Sequence, residues 1–211
     1  MIQQRVFNSV ARRIAKLSMI GLPKGPHLTR YYMYTVLSSV PVEGKTRSKV
    51  LSISRSKKLC EVMSLDTSEI IEANYPNHNI LALDFLDGQF DFVVCDQVLE
   101  HVEGNPQRAV DEIHRVLKPG GVAVLTTCFL NPIHNDPGDF WRFTPSALKM
   151  LFGNFSQIIE VGGWGNRLAC LLLELGFRFV NIPHSRWHPL YKVATLNSHN
   201  YPIVSWIVAS K

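Results

Sequence analysis

The segment 131–143, NPIHNDPGDFWRF, crowds three reactive side chains into one stretch. His134 has an ordinary pKa near neutrality and is a candidate general base. Asp139 would orient that imidazole or bind a substrate, and Arg142 is a candidate clamp for an anion. Trp141 offers a flat face on which a sugar or another ring can stack. Plainer readings run beside these: His134 orders its own loop, and Phe140 and Phe143 pack in a core. A second histidine group, His184 and His188 with His199 further on, raises the question of a metal. No acidic or cysteine partner lies near it, and Pro183 and Pro189 argue against a helix that would align the pair. No metal is expected, and 184–199 reads as a histidine-bearing lid loop.

The stretch 49–58, KVLSISRSKK, carries a different chemistry. An apolar strand of Val50, Leu51 and Ile53 runs into a turn and then a helix, the layout of a nucleotide-binding unit. A turn that brings its backbone against a ligand normally uses residues without a Cβ. This one offers Ser52, Ser54, Arg55 and Ser56. Either the helix starting at Ser56 or Lys57 presents its N–H groups, with Arg55, to a carboxylate, or Arg55 fills the hollow and nothing binds.

The elements around these segments follow from hydrophobic spacing. Val6, Val10, Ile14 and Leu17 recur at helical intervals, GLPKGP (21–26) breaks the pattern, and 27–40 reads as a second helix. The first 44 residues therefore form a helical cap, and 45–211 a second unit. There, strands are expected near 49–53, 69–74, 79–82, 90–96 and 121–128, with helices near 57–65 and 105–117. FDFVVCD is the uninterrupted apolar run of a strand buried on both faces. Pro119 and Gly120 suit the centre of a type II turn between helix and strand. A helix near 145–152, a strand at 155–163, an apolar helix near 166–177 and a closing strand at 202–211 complete the pattern. Such alternation predicts a three-layer α/β fold around a mostly parallel sheet.

Three strings, LDFLDGQFDFVVCDQVLEHV (83–102), RVLKPGG (115–121) and DFWRFTPSAL (139–148), together resemble the class I S-adenosylmethionine-dependent methyltransferases, in particular the type-11 methyltransferase domain family. The resemblance covers about residues 45 to 165. It implies a Rossmann-like seven-stranded sheet, six strands parallel and one antiparallel, with S-adenosylmethionine bound at the strand tips. Carried over, Ser52, Ser54 and Arg55 would face the methionine part. Glu72, about 20 positions on, would take the ribose hydroxyls, with Asn74 sharing the task from the same strand face. Asn79 and Ile80 fall at the adenine, and Cys95, Asp96 and Gln97 approach the sulfonium and amino group. His101 either lines the site or closes a short helical turn with Glu100. The implied reaction is methyl transfer to a small-molecule acceptor, a sugar or related metabolite. In that setting His134 is the base, and the aromatics of RYYMY (30–34) wall the acceptor pocket. A fold that has lost catalysis and serves as a binding module is the alternative.

The chain has 211 residues and a net charge of +5, with an isoelectric point near 9.1. No acidic residue precedes Glu43, whereas Arg5, Arg12, Arg13, Lys16, Lys24 and Arg30 do. A solvated basic face, a patch for phosphates or an anionic membrane surface, and a transit peptide all fit this bias. No base-flipping tetrad or dense Lys/Arg stripe is present, so stable nucleic-acid binding is not expected, and an RNA methyltransferase ranks as the lesser alternative. The apolar run 168–180 is broken by Glu174 and Arg178 and is too short to span a membrane. Four scattered cysteines suggest a reducing, cytoplasmic setting.

Overall fold

The structure, a computed structural model, describes residues 2–44, 46, 48–66, 68–134 and 138–211. Three elements come first: helix α1 (Ile2–Ser18), strand β1 (Lys24–His27) and helix α2 (Leu28–Ser38). Then follow β2 (Val50–Ile53), α3 (Lys57–Val62), β3 (Ile70–Ala73), β4 (Phe90–Asp96), a single 3₁₀ turn (Leu99–His101), α4 (Pro106–Val116) and β5 (Leu117–Cys128). The last part holds α5 (Pro145–Leu151), β6 (Gln157–Trp164), α6 (Arg167–Glu174), β7 (Asn181–Pro183), α7 (Pro189–Thr195) and β8 (Val204–Ser210).

The main sheet has the order β3-β2-β4-β5-β8-β6, with β8 antiparallel to its neighbours and the rest parallel to one another. This is the expected mixed sheet with six strands among the described residues instead of seven. The missing strand is the one expected at 79–82, where the chain makes only an isolated bridge between Asn79 and Ala82. Asn79 Oδ1 instead accepts a bond from the Leu81 amide two residues on, closing a local turn that competes with extended pairing.

Alternate residues of each buried strand feed opposite faces, as period-two geometry requires. Val50, Phe92, Val94, Val122, Val124 and Val208 pack against α2, α3, α6 and α7, whereas Leu51, Ile53, Val93, Ala123, Leu125 and Ile207 pack against α4 and α5. Helix α4 shows why the sequence folds so: Asn105 caps it, Pro106 starts it, and Ala109, Val110, Ile113 and Val116 form its buried stripe. Gly120, inside the first part of β5 where a turn between helix and strand was expected, adopts φ +77, a backbone that glycine favours.

The N-terminal helices do not stand apart. Met19, Leu28, Met33 and Leu37 share one core with Val50, Phe92 and Val208, and β1 pairs antiparallel with β7. The stretch expected as a lid loop is part of this seat. His184 Nδ1 meets the Tyr31 hydroxyl at 3.0 Å. His188 caps α7, its Nδ1 accepting from the Leu190 amide. The two prolines that argued against one helix through both histidines instead bracket a capped helical start. The RYYMY aromatics also turn inward: Tyr32 stacks beside Trp164, and the Tyr34 hydroxyl donates to Asp96.

Candidate active site

The chain runs from β2 outward to β3 and returns on the other side of β2 as β4, so strand order reverses between β2 and β4. At the carboxyl ends of open α/β sheets such a reversal leaves a crevice. A cleft of about 730 Å³ lies there, within the usual size range of small-molecule sites.

Its first wall is backbone from the strand tips. Ile53 ends β2 and Ser54 and Arg55 follow it, Asn74 and Tyr75 follow β3, and Gln97 and Val98 follow β4. Ser54 (φ 51), Arg55 (φ 64) and Gln97 (φ 58) all take left-handed conformations. The turn therefore keeps the backbone path that glycine favours, at a cost of about 1–2 kcal/mol for each side-chain-bearing residue. Hydrogen bonds hold it. The Arg55 amide donates to Asn74 Oδ1 at 2.9 Å, Asn74 Nδ2 donates to Glu72 Oε2 at 3.2 Å, and the Asp96 amide donates to Ser56 Oγ at 2.7 Å. The Arg55 side chain is exposed, so the hollow stays open.

The second wall comes from later loops: His101, Val102, Glu103, His134, Gly138, Phe140 and Arg178. Asp139 holds it together. Its carboxylate, fully shielded from solvent, takes both Arg142 terminal nitrogens and the His134 amide. That guanidinium keeps Asp139 far below the ordinary carboxylate range. His134 Nδ1 lies 3.2 Å from Asp139 Oδ2, and the His134 and His101 rings meet edge-on, 4.9 Å between centroids. Burial first, then the charge of Arg178, lowers the His134 pKa, so the ring is neutral at neutral pH. His101 Nδ1 donates to the Gly138 carbonyl, which places a proton on Nδ1.

Glu100 lies beneath this pair with no exposed surface. Thr127 Oγ1 donates to its Oε2 at 2.8 Å, while its Oε1 is buried without a partner among the described residues. Burial raises its pKa. Donor atoms of Glu100, His101 and His134 lie within 4.8 Å of one another and could hold a metal ion, a grouping invisible in the histidine spacing of the sequence. The charges of Arg30, Arg142 and Arg178, which Glu100 feels or acts upon, weigh against a cation there.

Of the residues expected at the cofactor, Ser54, Arg55, Asn74, Asn79, Ile80, Gln97 and His101 line the cleft. Ser52 and Cys95 do not, because both sit inside strands and are fully buried. Asp96 also points elsewhere: it accepts from Tyr34 at 2.7 Å and Thr126 at 2.5 Å and lies 3.5 Å from Arg30 Nε. Glu72 is exposed and reaches the cleft only through Asn74. On the acceptor side His134 lines the cleft, whereas Asp139 and Arg142 brace it from behind. Trp141 is set back, its indole N–H donating to the Val102 carbonyl. Arg178 was missed, although a cation inside the apolar run 168–180 was the available signal.

Residues 36–125 match the family model described as a methyltransferase domain. This stretch, under half of the chain, is similar to methyltransferase domains. A ubiquinone biosynthesis O-methyltransferase of Pseudomonas aeruginosa is 45% identical to the domain over 130 residues, 56% of this chain and 50% of that protein. An uncharacterized chloroplastic methyltransferase of Arabidopsis thaliana is 33% identical over 143 residues, 58% of this chain and 39% of that protein. The chain thus spans half or less of the length of these relatives. An S-adenosylmethionine-dependent methyltransferase from Mesorhizobium loti shares the fold at TM-score 0.53 and 13% identity, over 87% of this chain and all of that one. So does the [4+2]-cyclase SpnF, at TM-score 0.54 and 15% identity, over 86% and 81%.

Proposed function

We propose that the protein is an S-adenosylmethionine-dependent methyltransferase that O-methylates a hydroxyl of a small molecule, a sugar or related metabolite. The observation that carries this reading is a cleft at the sheet's reversal point with two histidines, His134 and His101, meeting edge-on on the wall opposite the strand tips. S-adenosylmethionine would supply an electrophilic methyl, the acceptor O–C bond forming as the S–C bond breaks and its electron pair stays on sulfur. The protein's own task is approach geometry and proton removal. Ser54 and Arg55 with Asn74 would hold the methionine and ribose parts, and Asn79 with Ile80 the adenine. His134, neutral and fixed by Asp139, takes the hydroxyl proton, and His101 Nε2 is placed beside it as a relay.

The P. aeruginosa relative, named for O-methylation in ubiquinone biosynthesis, supports oxygen as the acceptor atom. The sugar part of the reading loses its Trp141 platform and passes to Phe140, whose half-exposed ring lines the cleft. The second reading, a fold that binds without methylating, draws on the glycine-free turn and on the cyclase name of one fold neighbour, since fold does not dictate chemistry. Calorimetry with S-adenosylhomocysteine decides between them. Saturable heat, abolished by competing S-adenosylmethionine, upholds a working cofactor site, which the enzyme requires; no heat from the folded chain favours a module that has lost it.

Helix α1 belongs to the same proposal. Val10, Ile14 and Leu17 form an outward apolar stripe, each about half exposed or more, beside exposed Arg13 and Lys16. A basic, apolar face of this kind suits an anionic membrane surface, and among the described residues no helix is long and apolar enough to cross one. Sedimentation with phosphatidylglycerol vesicles tests it: Leu17→Glu should release the protein, and equal pelleting of both forms would remove the assignment. The free cysteines support the cytoplasmic setting.

A further inference from the structure

Arg178 lines the cleft with its Nε buried and without a hydrogen-bond partner among the described residues. The other two arginines of this region are paired, Arg30 with Asp96 and Arg142 with Asp139. No carboxylate of the described residues lies within ion-pair distance of Arg178. Its guanidinium rests 5.1 Å from the Phe179 ring centroid, and burial together with the charge of Arg30 lowers its pKa. Stability alone does not favour a half-buried cation placed beside a like charge with no counter-ion. The cation lines the same cavity as His134 and its charge reaches that ring, so whatever occupies the acceptor end meets it.

We propose that Arg178 is the anion clamp of the acceptor site and that the acceptor carries a carboxylate or phosphate group near the hydroxyl that is methylated. This rests on the methyltransferase reading above and narrows its substrate class. It also moves the clamp from Arg142, whose fork is already filled by Asp139. A guanidinium matches two anionic oxygens at once, which a lysine does not. The same contact would draw the acceptor to one side of the cleft and leave its hydroxyl facing the paired histidines.

The test uses the full chain saturated with S-adenosylhomocysteine and titrated separately with inorganic phosphate and with benzoate. Wild type is expected to bind at least one of them saturably. Arg178→Met should weaken that binding about tenfold or more, and Arg178→Lys by less, with affinity for S-adenosylhomocysteine unchanged. Benzoate binding alone assigns a carboxylate, and phosphate binding alone a phosphate. Because the arginine has no ion-pair partner among the described residues, Arg178→Met should also leave the melting temperature equal or higher; a structural arginine would lower it. Saturable binding that survives Arg178→Met, or no binding of either anion by wild type, overturns the proposal. Absence of S-adenosylhomocysteine heat with anion binding intact would overturn the methyltransferase reading and leave the clamp.

Discussion

The two walls of the cleft are held by different means. Along the strand tips the shape is set by backbone: β2, β3 and β4 register in parallel, Ser54 and Arg55 bend in left-handed conformations, and the side chains mostly decorate. Across the cleft the wall is loop, and its shape depends on side-chain contacts: Asp139 with Arg142 and His134, three and five positions away, and His101 with the Gly138 carbonyl, 37 positions away. Backbone walls tolerate substitution because hydrogen bonds between strands do not depend on side-chain identity. A loop wall hung on one buried carboxylate does not. Under the proposed function, the first wall would fix the cofactor and the second would choose the acceptor.

The strongest way to break this contrast is Asp139→Asn. It leaves Arg142 without its bidentate partner, and breaking such a shielded pair costs about 3 kcal/mol. The chain should lose that much stability by urea unfolding and nearly all methyl transfer. S-adenosylhomocysteine affinity in the folded fraction should change less than about threefold, since the strand-tip wall is untouched. A parallel collapse of cofactor binding would show that the walls are one unit.

His134→Gln comes next. Removing a general base typically lowers turnover about a hundredfold or more. The pH profile gives the finer reading. The His134 pKa is depressed, so the ring is protonated and inert only at low pH, and activity should rise with pH through a midpoint below 6.5. Arg178→Met, which removes one of the charges depressing it, should move that midpoint upward. A midpoint that ignores both substitutions would assign the base elsewhere.

The same contrast governs what the sequence discloses. Strand-tip residues follow one another along short motifs, so the β2 turn, Asn74, Asn79, Ile80 and Gln97 can be placed by carrying the family resemblance over residue by residue. Side-chain direction is harder: Ser52 and Cys95 fall one residue on the wrong side of a strand end, and period two buries them. Asp96 is diverted by Tyr34 and Arg30, partners some 60 positions earlier that no local pattern reveals. Arg178 was legible only as an interruption of an apolar run. The cap's engagement with α7 depends on Tyr31 meeting His184, 153 positions away, a contact that only the folded chain creates.

A smaller effect comes from His27, at the junction of β1 and α2. Burial, then the adjacent Arg30, lowers its pKa to about 4. The unfolded chain, with an ordinary value of 6.5, takes up this proton first. Stability should therefore fall as pH drops from 6.5 to about 4, and level off for this group below that. His27→Gln should flatten that part of the stability curve relative to wild type while leaving the region above pH 7 unchanged. An unaltered slope would place the proton elsewhere.

The smallest expected change probes the backbone wall directly. Arg55 holds φ 64 with its side chain in solvent and its amide on Asn74. Arg55→Gly removes the left-handed penalty, about 1 kcal/mol in the fold, though glycine's extra freedom in the unfolded chain offsets part of it. The melting temperature should hold or rise slightly. S-adenosylhomocysteine binding discriminates more sharply. If backbone alone shapes this wall, affinity survives the loss of the guanidinium within about threefold; if Arg55 grips the cofactor carboxylate, affinity falls about tenfold or more, the worth of a charge-assisted bond. The second outcome would mean that the chain replaced a glycine's freedom with an arginine's charge, and that side chains secure both walls.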